Sequence, residues 1–96
     1  MKIRFHPLAE KEFGEAILWY STKRKGLDQE YIFSIDEAIH KIEKNPDLYP
    51  FIYKSFQRII VRRFPYSLFY KKEKNEIRVI AVMHMKRNPS LLQHRF

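Results

Sequence analysis

The sequence predicts an α+β domain in which an N-terminal strand and a two-helix antiparallel hairpin pack on an antiparallel sheet, followed by a short C-terminal tail. Two apolar stripes with helical spacing occupy the first half of the chain, and three segments rich in β-branched and aromatic residues occupy the second. Of the 96 residues, 45% are apolar and 16% are aromatic, which is enough to fill one small core. We therefore expect residues 1–96 to form a single domain with the order β-α-α-β-β-β.

The first strand and the first helix follow from the N-terminal pattern. In residues 1–6, Ile3 and Phe5 alternate with polar neighbours, as in a strand with one buried face. Pro7 suits the first turn of a helix, and the apolar residues after it fall on one stripe for roughly 16 to 18 residues. The stripe consists of Ala9, Phe13, Ala16, Ile17 and Tyr20. Gly26 is expected to end this helix.

A second helix is predicted almost immediately after the first. Asp28 is a suitable N-cap, and Asn45 followed by Pro46 supplies the stop. Because the turn between the two helices is short, we expect them to form an antiparallel hairpin. The second apolar stripe consists of Tyr31, Ile32, Ile35, Ala38, Ile39 and Ile42.

The second half of the chain predicts a meander of three strands. Residues 57–63, 66–72 and 77–85 are rich in Ile, Val, Phe and Tyr, and a charged turn separates the last two segments. Residues 46–56 carry two prolines without any periodicity and are expected to form a loop. Residues 79–83 are apolar at every position, which is typical of a central strand covered on both faces.

Positive charge is concentrated in the second half of the chain. Residues 1–53 carry 8 basic and 9 acidic groups, a net charge of −1, whereas residues 54–96 carry 11 and 2, a net charge of +9. A field of this kind attracts polyanions such as nucleic acid, anionic lipid or an acidic protein. Charge that serves only solubility is the alternative interpretation.

Several classes of protein are disfavoured by what the sequence lacks. There is no cysteine, no long apolar run and no secretory pattern at the N-terminus, so we expect a cytoplasmic protein with no membrane contact. The only two glycines, Gly14 and Gly26, do not fit either glycine-rich phosphate-binding signature. The four histidines are scattered without an acidic ligand set, so we expect neither a metal nor another cofactor.

The segment VRRFPYSLFY, residues 61–70, predicts a tight hairpin with Phe64 and Pro65 at its tip. In that register Arg58 lies across from Lys71, and opposed residues share a face. The core face carries Ile59, Val61, Leu68 and Tyr70, with Arg63 and Tyr66 at its rim. The other face carries Arg58, Arg62, Ser67 and Lys71 around Ile60 and Phe69. This second face is either a phosphate- or target-binding surface or a plain solvated one.

The last predicted strand ends in His84, Lys86 and Arg87, where side chains can be held rigidly and still be exposed. A metal-free ribonuclease needs a proton acceptor, a proton donor and fixed cations at the phosphate, and a histidine exchanges protons near neutral pH. The candidate catalytic residues, in the event of a ribonuclease, are Arg62, His84 and Arg87. The candidate target- or nucleic-acid-binding residues are Arg58, Arg62, Arg63, Lys71, Lys86 and Arg87.

Three segments in combination resemble the RelE/ParE superfamily of toxins from type II toxin-antitoxin systems. They are FHPLAEKEFGEAILWY, GLDQEYIFSIDEAIHKIEKNPDLYP and VRRFPYSLFYKKEKNEIRVIAVMHMKRNP. The resemblance covers essentially the whole chain and implies the strand, helix, helix, three-strand fold. It also implies a partner, because toxins of this superfamily are held by an acidic or amphipathic antitoxin segment that wraps over the helices and the sheet.

The resemblance to the RelE branch implies one possible activity. Toxins of that branch cleave messenger RNA in the ribosome with basic residues on the sheet and a tyrosine or histidine near the C-terminus. By position, Arg62, Lys86 and Arg87 match the basic residues. The position of the tyrosine falls near Gln93, which is neither an acid nor a base, and His94 is adjacent.

The resemblance to the ParE branch is closer and implies inhibition of DNA gyrase by binding. It rests on RRFPYSLFY and VMHMKRNP, although Leu91 and Leu92 stand where ParE-like members often have aromatic residues. We therefore expect a ParE-like toxin with a cognate acidic antitoxin. A ribosome-dependent messenger RNA endoribonuclease and a non-toxic basic binding domain are the alternatives, so the partner is either gyrase or the ribosome with its message. The oligomeric state is left open.

Overall fold

The computed structural model describes residues 1–95 and confirms the α+β class. Its strands are β1 (Lys2–Phe5), β2 (Phe51–Tyr53), β3 (Phe56–Ile60), β4 (Tyr66–Lys72) and β5 (Glu76–His84). Its helices are α1 (Pro7–Ser21), α2 (Leu27–Lys44) and a C-terminal 3-10 helix (Pro89–His94). The strands form one sheet in the order β1-β5-β4-β3-β2, so β1 and β5, the first and last strands along the chain, are neighbours.

The sheet is mixed, whereas the sequence predicted an antiparallel one. The meander of β3, β4 and β5 is antiparallel as expected, but β1 pairs with β5 in parallel, with Ile3 opposite Ile77. The pattern of one strand carries no information about the direction of a neighbour distant in sequence. The segment expected to be a loop contains β2, an edge strand whose three residues are too few to show a period.

The two helical stripes are confirmed, but the turn between the helices differs from the expected one. The helix α1 already ends at Ser21, and Gly26 serves as the N-cap of α2 rather than as the stop of α1. Gly26 has a φ of 84°, a left-handed conformation that glycine adopts without steric cost. Asp28 consequently lies within the first turn of α2, where its negative charge interacts favourably with the positive end of the helix dipole.

Both faces of the sheet are covered. The helices bury one face in the main core, to which Ile59, Leu68 and Val82 contribute from β3, β4 and β5. A smaller cluster on the other face is capped by Leu92 of the 3-10 helix and consists of Phe56, Phe69, Ile80, Ala81, Met83 and Leu92. The prediction that β5 is covered on both faces is therefore confirmed.

An ion pair protects the edge of β5 that extends beyond the end of β1. Because β1 ends opposite Val79, the backbone of β5 beyond that residue is unpaired on the β1 side. The Val82 N–H donates to Glu12 Oε1 over 3.0 Å, and the Arg95 guanidinium donates to the Ile80 carbonyl over 3.2 Å. Arg95 also donates to both oxygens of Glu12, at 2.8 and 2.7 Å. This largely buried pair joins α1, β5 and the end of the 3-10 helix.

Two buried tyrosines give a matched test of the core. Tyr31 is fully buried, and its hydroxyl has no hydrogen-bond partner among residues 1–95, whereas Tyr70 donates to the Pro46 carbonyl over 2.6 Å. Burial raises the pKa of Tyr31 far above its usual value and that of Tyr70 to about 12, so both phenols are neutral at pH 7. We expect Tyr31→Phe to leave the free energy of unfolding unchanged or raise it by up to about 1 kcal/mol, and Tyr70→Phe to lower it by about 1 kcal/mol. Urea unfolding at pH 7 measures both, and equal losses would contradict this assignment.

His6 should make the stability of the fold depend on pH. Its Nδ1 accepts the Leu8 N–H over 3.0 Å and so caps α1. Partial burial lowers the pKa of His6 below 6.5, with further lowering by Arg78 and Arg95. The unfolded chain therefore binds this proton more readily, and the contribution of His6 is full above pH 6.5 and lost as the pH falls through the lower folded value.

The variant His6→Asn retains a capping side chain and removes the titration. We expect wild type to lose more stability than His6→Asn between pH 7 and pH 5, as measured by urea midpoints at both values. If the two proteins show the same difference between the two pH values, His6 makes no such contribution.

Candidate functional site

The hairpin of β3 and β4 has a wider turn than the sequence predicted. Ile59 lies opposite Leu68, and Arg58 lies opposite Phe69 rather than opposite Lys71. The predicted register is therefore wrong by two residues, but an even shift leaves the side chains within β3 and β4 on their predicted faces. The core face carries Ile59, Val61, Leu68 and Tyr70, as expected.

Burial of Phe64 explains the wider turn. Its ring lies 5.1 Å from Tyr20 and 5.4 Å from Tyr31 between centroids, so it belongs to the aromatic core instead of the hairpin tip. Arg63 adopts a positive φ of 70°, which turns the chain so that Phe64 can point inward. A tight two-residue turn would have left this large apolar ring in water.

The two consecutive arginines of this turn face α2. Arg62 Nη1 lies 3.8 Å from a carboxylate oxygen of Glu37, and Arg63 Nη2 lies 3.4 Å from one of Glu30. The expectation that Arg62 lies on the same sheet face as Arg58 is therefore wrong. The physical reason is that β3 ends at Ile60, so Arg62 belongs to the turn and no longer follows the pleat of the sheet.

Lys71 lies apart from the other candidate residues, whereas Lys86 lies beside His84 and Arg87. Lys71 is near the end of β4, opposite Arg78, whereas the start of β4 pairs with the end of β5. Five residues along a strand place Lys71 about 16 Å from the His84 end of the sheet. Lys86 is exposed in the turn after β5, and its backbone N–H donates to His84.

The structure brings Arg58, His84 and Arg87 together around one small pocket. The pocket has a volume of about 160 Å³ and lies on the sheet face that the 3-10 helix partly covers. Its remaining lining residues are Ser67, Phe69, Met83, Met85 and Pro89. Sequence reasoning placed Ser67 on this face but did not recognise it as a site residue, since only the true register sets it opposite Met83, one residue before His84.

The orientation of His84 is fixed by the backbone. Its Nδ1 accepts the Lys86 N–H over 3.2 Å, so the neutral ring carries its proton on Nε2. The Tyr66 ring packs edge-on against the imidazole, with 5.3 Å between centroids and an angle of 73°. Nε2 is therefore the nitrogen that can donate to a bound group.

A larger cleft lies between α1 and the ends of β4 and β5. It has a volume of about 380 Å³ and shares His84 and Arg87 with the small pocket. Its other prominent lining residues are Glu12, Glu15, Trp19, Tyr20 and Tyr66. Trp19 is 56% exposed and holds the Lys23 ammonium 4.5 Å above its ring, so this wall is both apolar and accessible.

Within residues 1–95 no group of three or more His, Cys, Asp or Glu side chains could hold a metal ion. Neither α-helix of the described chain is long and apolar enough to cross a membrane.

Comparison with known proteins defines the class as a toxin of a type II toxin-antitoxin system. Residues 3–89 match the family described as "ParE toxin of type II toxin-antitoxin system, parDE". The match spans nearly the whole chain, from β1 to the start of the 3-10 helix. The chain therefore belongs to the ParE toxin family, and this membership implies an antitoxin partner.

Individual relatives agree with this membership. Toxin ParE2 of Mycobacterium tuberculosis, in strains H37Rv and CDC 1551, is 25% identical over 93 residues, which cover 96% of this chain and 89% of the relative. A solved structure titled "Chromosomal ParDE TA system from P. aeruginosa" matches with a TM-score of 0.64 at 10% identity, covering 88% of this chain and 95% of that one. The structural likeness supports the fold.

Proposed function

We propose that this ParE-like toxin acts in the cytoplasm by binding DNA gyrase, and that an acidic antitoxin holds it inactive until the antitoxin is lost. The family match over residues 3–89 carries the proposal. The relatives named above are a ParE toxin and a ParDE system, which is consistent with this type of toxin.

The composition of the small pocket favours binding over RNA cleavage. Internal attack by a ribose hydroxyl requires both a proton acceptor and a proton donor near the phosphate. His84 is the only imidazole or carboxyl side chain that lines the small pocket, and the carboxylates of Glu12 and Glu15 line the other cleft. Arg58 and Arg87 can hold an anion but do not exchange protons.

Surface charge and exposed apolar residues support an antitoxin partner. Residues 54–96 carry a net charge of +9, which an acidic protein can neutralise. Leu18 and Trp19 of α1 and Phe33 of α2 are 70%, 56% and 69% exposed. Large apolar side chains left in water on a helical surface suit an amphipathic segment of the antitoxin.

We assign target binding to the basic residues of the sheet and its turns. Arg58 and Arg87 at the small pocket and the exposed Lys86 beside it form the centre of this surface. Arg62 and Arg63 pair with α2 carboxylates but are about two-thirds exposed, so they remain available to a partner. Lys71 lies farther along β4 and would contribute at the edge of the surface.

A ribosome-dependent endoribonuclease is the second candidate. The observation in its favour is that His84, with its proton on Nε2, lines the same pocket as Arg58 and Arg87. In that case His84 would exchange a proton with the reacting hydroxyl groups and Arg87 would hold the phosphate. Arg62 would contribute a second positive charge from the adjacent turn. The activity would need no metal.

Expression without the antitoxin tests both candidates together. We expect growth arrest with intact messages, and we expect purified protein to inhibit supercoiling by gyrase. Arg58→Ala and Arg87→Ala should weaken inhibition by about tenfold or more, since truncating a central cation of a binding surface is typically this costly. Lys74→Ala, an exposed cation in the turn after β4, is the matched control and should be neutral.

Three outcomes would contradict the proposal. Cleaved messages with normal supercoiling would identify a ribonuclease. Growth without any arrest would identify a non-toxic binding domain. Equal effects of Lys74→Ala and Arg58→Ala would place the target surface elsewhere.

A further inference from the structure

Arg58 presents a hydrogen-bond donor that the fold itself leaves unused. Its Nε is buried, yet it has no hydrogen-bond partner within residues 1–95. A buried donor without an acceptor destabilises the fold unless a water molecule, an ion or a ligand satisfies it. The donor lies on β3 at a point where Arg58 is opposite Phe69.

The charge of Arg58 also lacks internal compensation, in contrast to the arginines near it. Arg62, Arg63 and Arg95 each lie within 4.0 Å of a carboxylate. The ion pairs found in the described chain include neither Arg58 nor Arg87. The fold therefore neutralises the cations of the hairpin turn and leaves two cations unneutralised at one pocket.

The groups around this pocket are suited to an oxyanion. Arg58, Arg87 and the Nε2–H of His84 are donors, the Ser67 hydroxyl can donate, and no lining residue is acidic. Guanidinium groups bind phosphate by planar two-point contacts. The volume of about 160 Å³ is below the roughly 300 Å³ at which small-molecule sites begin, so the pocket suits one compact group rather than a metabolite.

We propose that the pocket of Arg58, Ser67, His84 and Arg87 binds a single phosphate group, and that its source is the backbone of a nucleic-acid strand. The net charge of +9 on residues 54–96 favours a polyanion over a free ion. Exposed Met85 at the pocket and exposed Ile60 on β3 offer apolar surface against which neighbouring bases can pack. This inference goes beyond the proposed function, since gyrase inhibition by protein contacts requires no phosphate site.

Titration with inorganic phosphate tests the site in the complete protein. NMR of the arginine Nε–H groups should show a saturable shift of the Arg58 signal, because that donor gains an acceptor. Arg58→Lys keeps the charge but removes Nε, and it should weaken phosphate binding by about tenfold. Arg87→Lys, at an exposed position, should weaken binding without affecting the fold, and Arg4→Lys on β1 is the matched control that should bind normally.

Competing ligands identify the source of the phosphate. A short single-stranded oligonucleotide should displace phosphate from the Arg58 signal, and the same sequence with an uncharged methylphosphonate backbone should not. Acetate at equal concentration should shift the signal weakly, because a planar carboxylate engages fewer of the donors.

The proposal fails if phosphate produces no saturable shift, or if Arg4→Lys weakens binding as much as Arg58→Lys and Arg87→Lys do. Acetate that binds as well as phosphate would identify a carboxylate site for a protein partner. Phosphate binding without competition by the charged oligonucleotide would overturn the nucleic-acid source.

Discussion

The fold depends on how the backbone groups at the edge of β5, beyond the end of β1, find hydrogen-bond partners. This strand is longer than its parallel neighbour β1, so the second half of β5 would present unpaired backbone groups. Glu12 of α1 accepts the Val82 N–H, and Arg95 donates to the Ile80 carbonyl while pairing with Glu12. An edge protected by charged side chains does not add strands of other molecules readily. The same ion pair fixes α1 on one side of the sheet and the C-terminal segment on the other.

This arrangement determines where the candidate site can be. The 3-10 helix lies over the second face of the sheet, buries Leu92 there and contributes Pro89 to the pocket of Arg58 and His84. The strands β3, β4 and β5 supply Arg58, Ser67, Phe69, Met83 and His84 from regular backbone, which holds them more rigidly than a loop would, whereas Met85 and Arg87 follow in the turn after β5. The division of charge follows from the same geometry: the hairpin turn reaches α2, so its arginines are neutralised, whereas Arg58 lies within the pleat and is not.

The periodic parts of the structure could be predicted from sequence, and the parts that depend on distant contacts could not. The stripes of α1 and α2, the extent of β4 and the double coverage of β5 all follow from apolar spacing. The register of β3 against β4 depended on whether Phe64 is exposed or buried, and a local pattern does not decide this. The pairing of Glu12 with Arg95 joins residues 83 positions apart, and neither has a neighbour in sequence that indicates the other. His84 and Arg87 could be grouped because they are adjacent, but adding Arg58 and Ser67 to them required the true register.

Hydrogen exchange at the Val82 amide tests the central claim most directly, because this N–H donates to a side chain and not to a strand. In the wild-type protein the Val82 amide should exchange slowly, like the amides of Ala81 and Met83, whose N–H groups point toward β4. In Glu12→Ala its exchange should accelerate by orders of magnitude, while Ala81 and Met83 remain protected. Unchanged protection of Val82 in that variant would contradict the account, since the edge of β5 would then be closed by something other than Glu12 and Arg95.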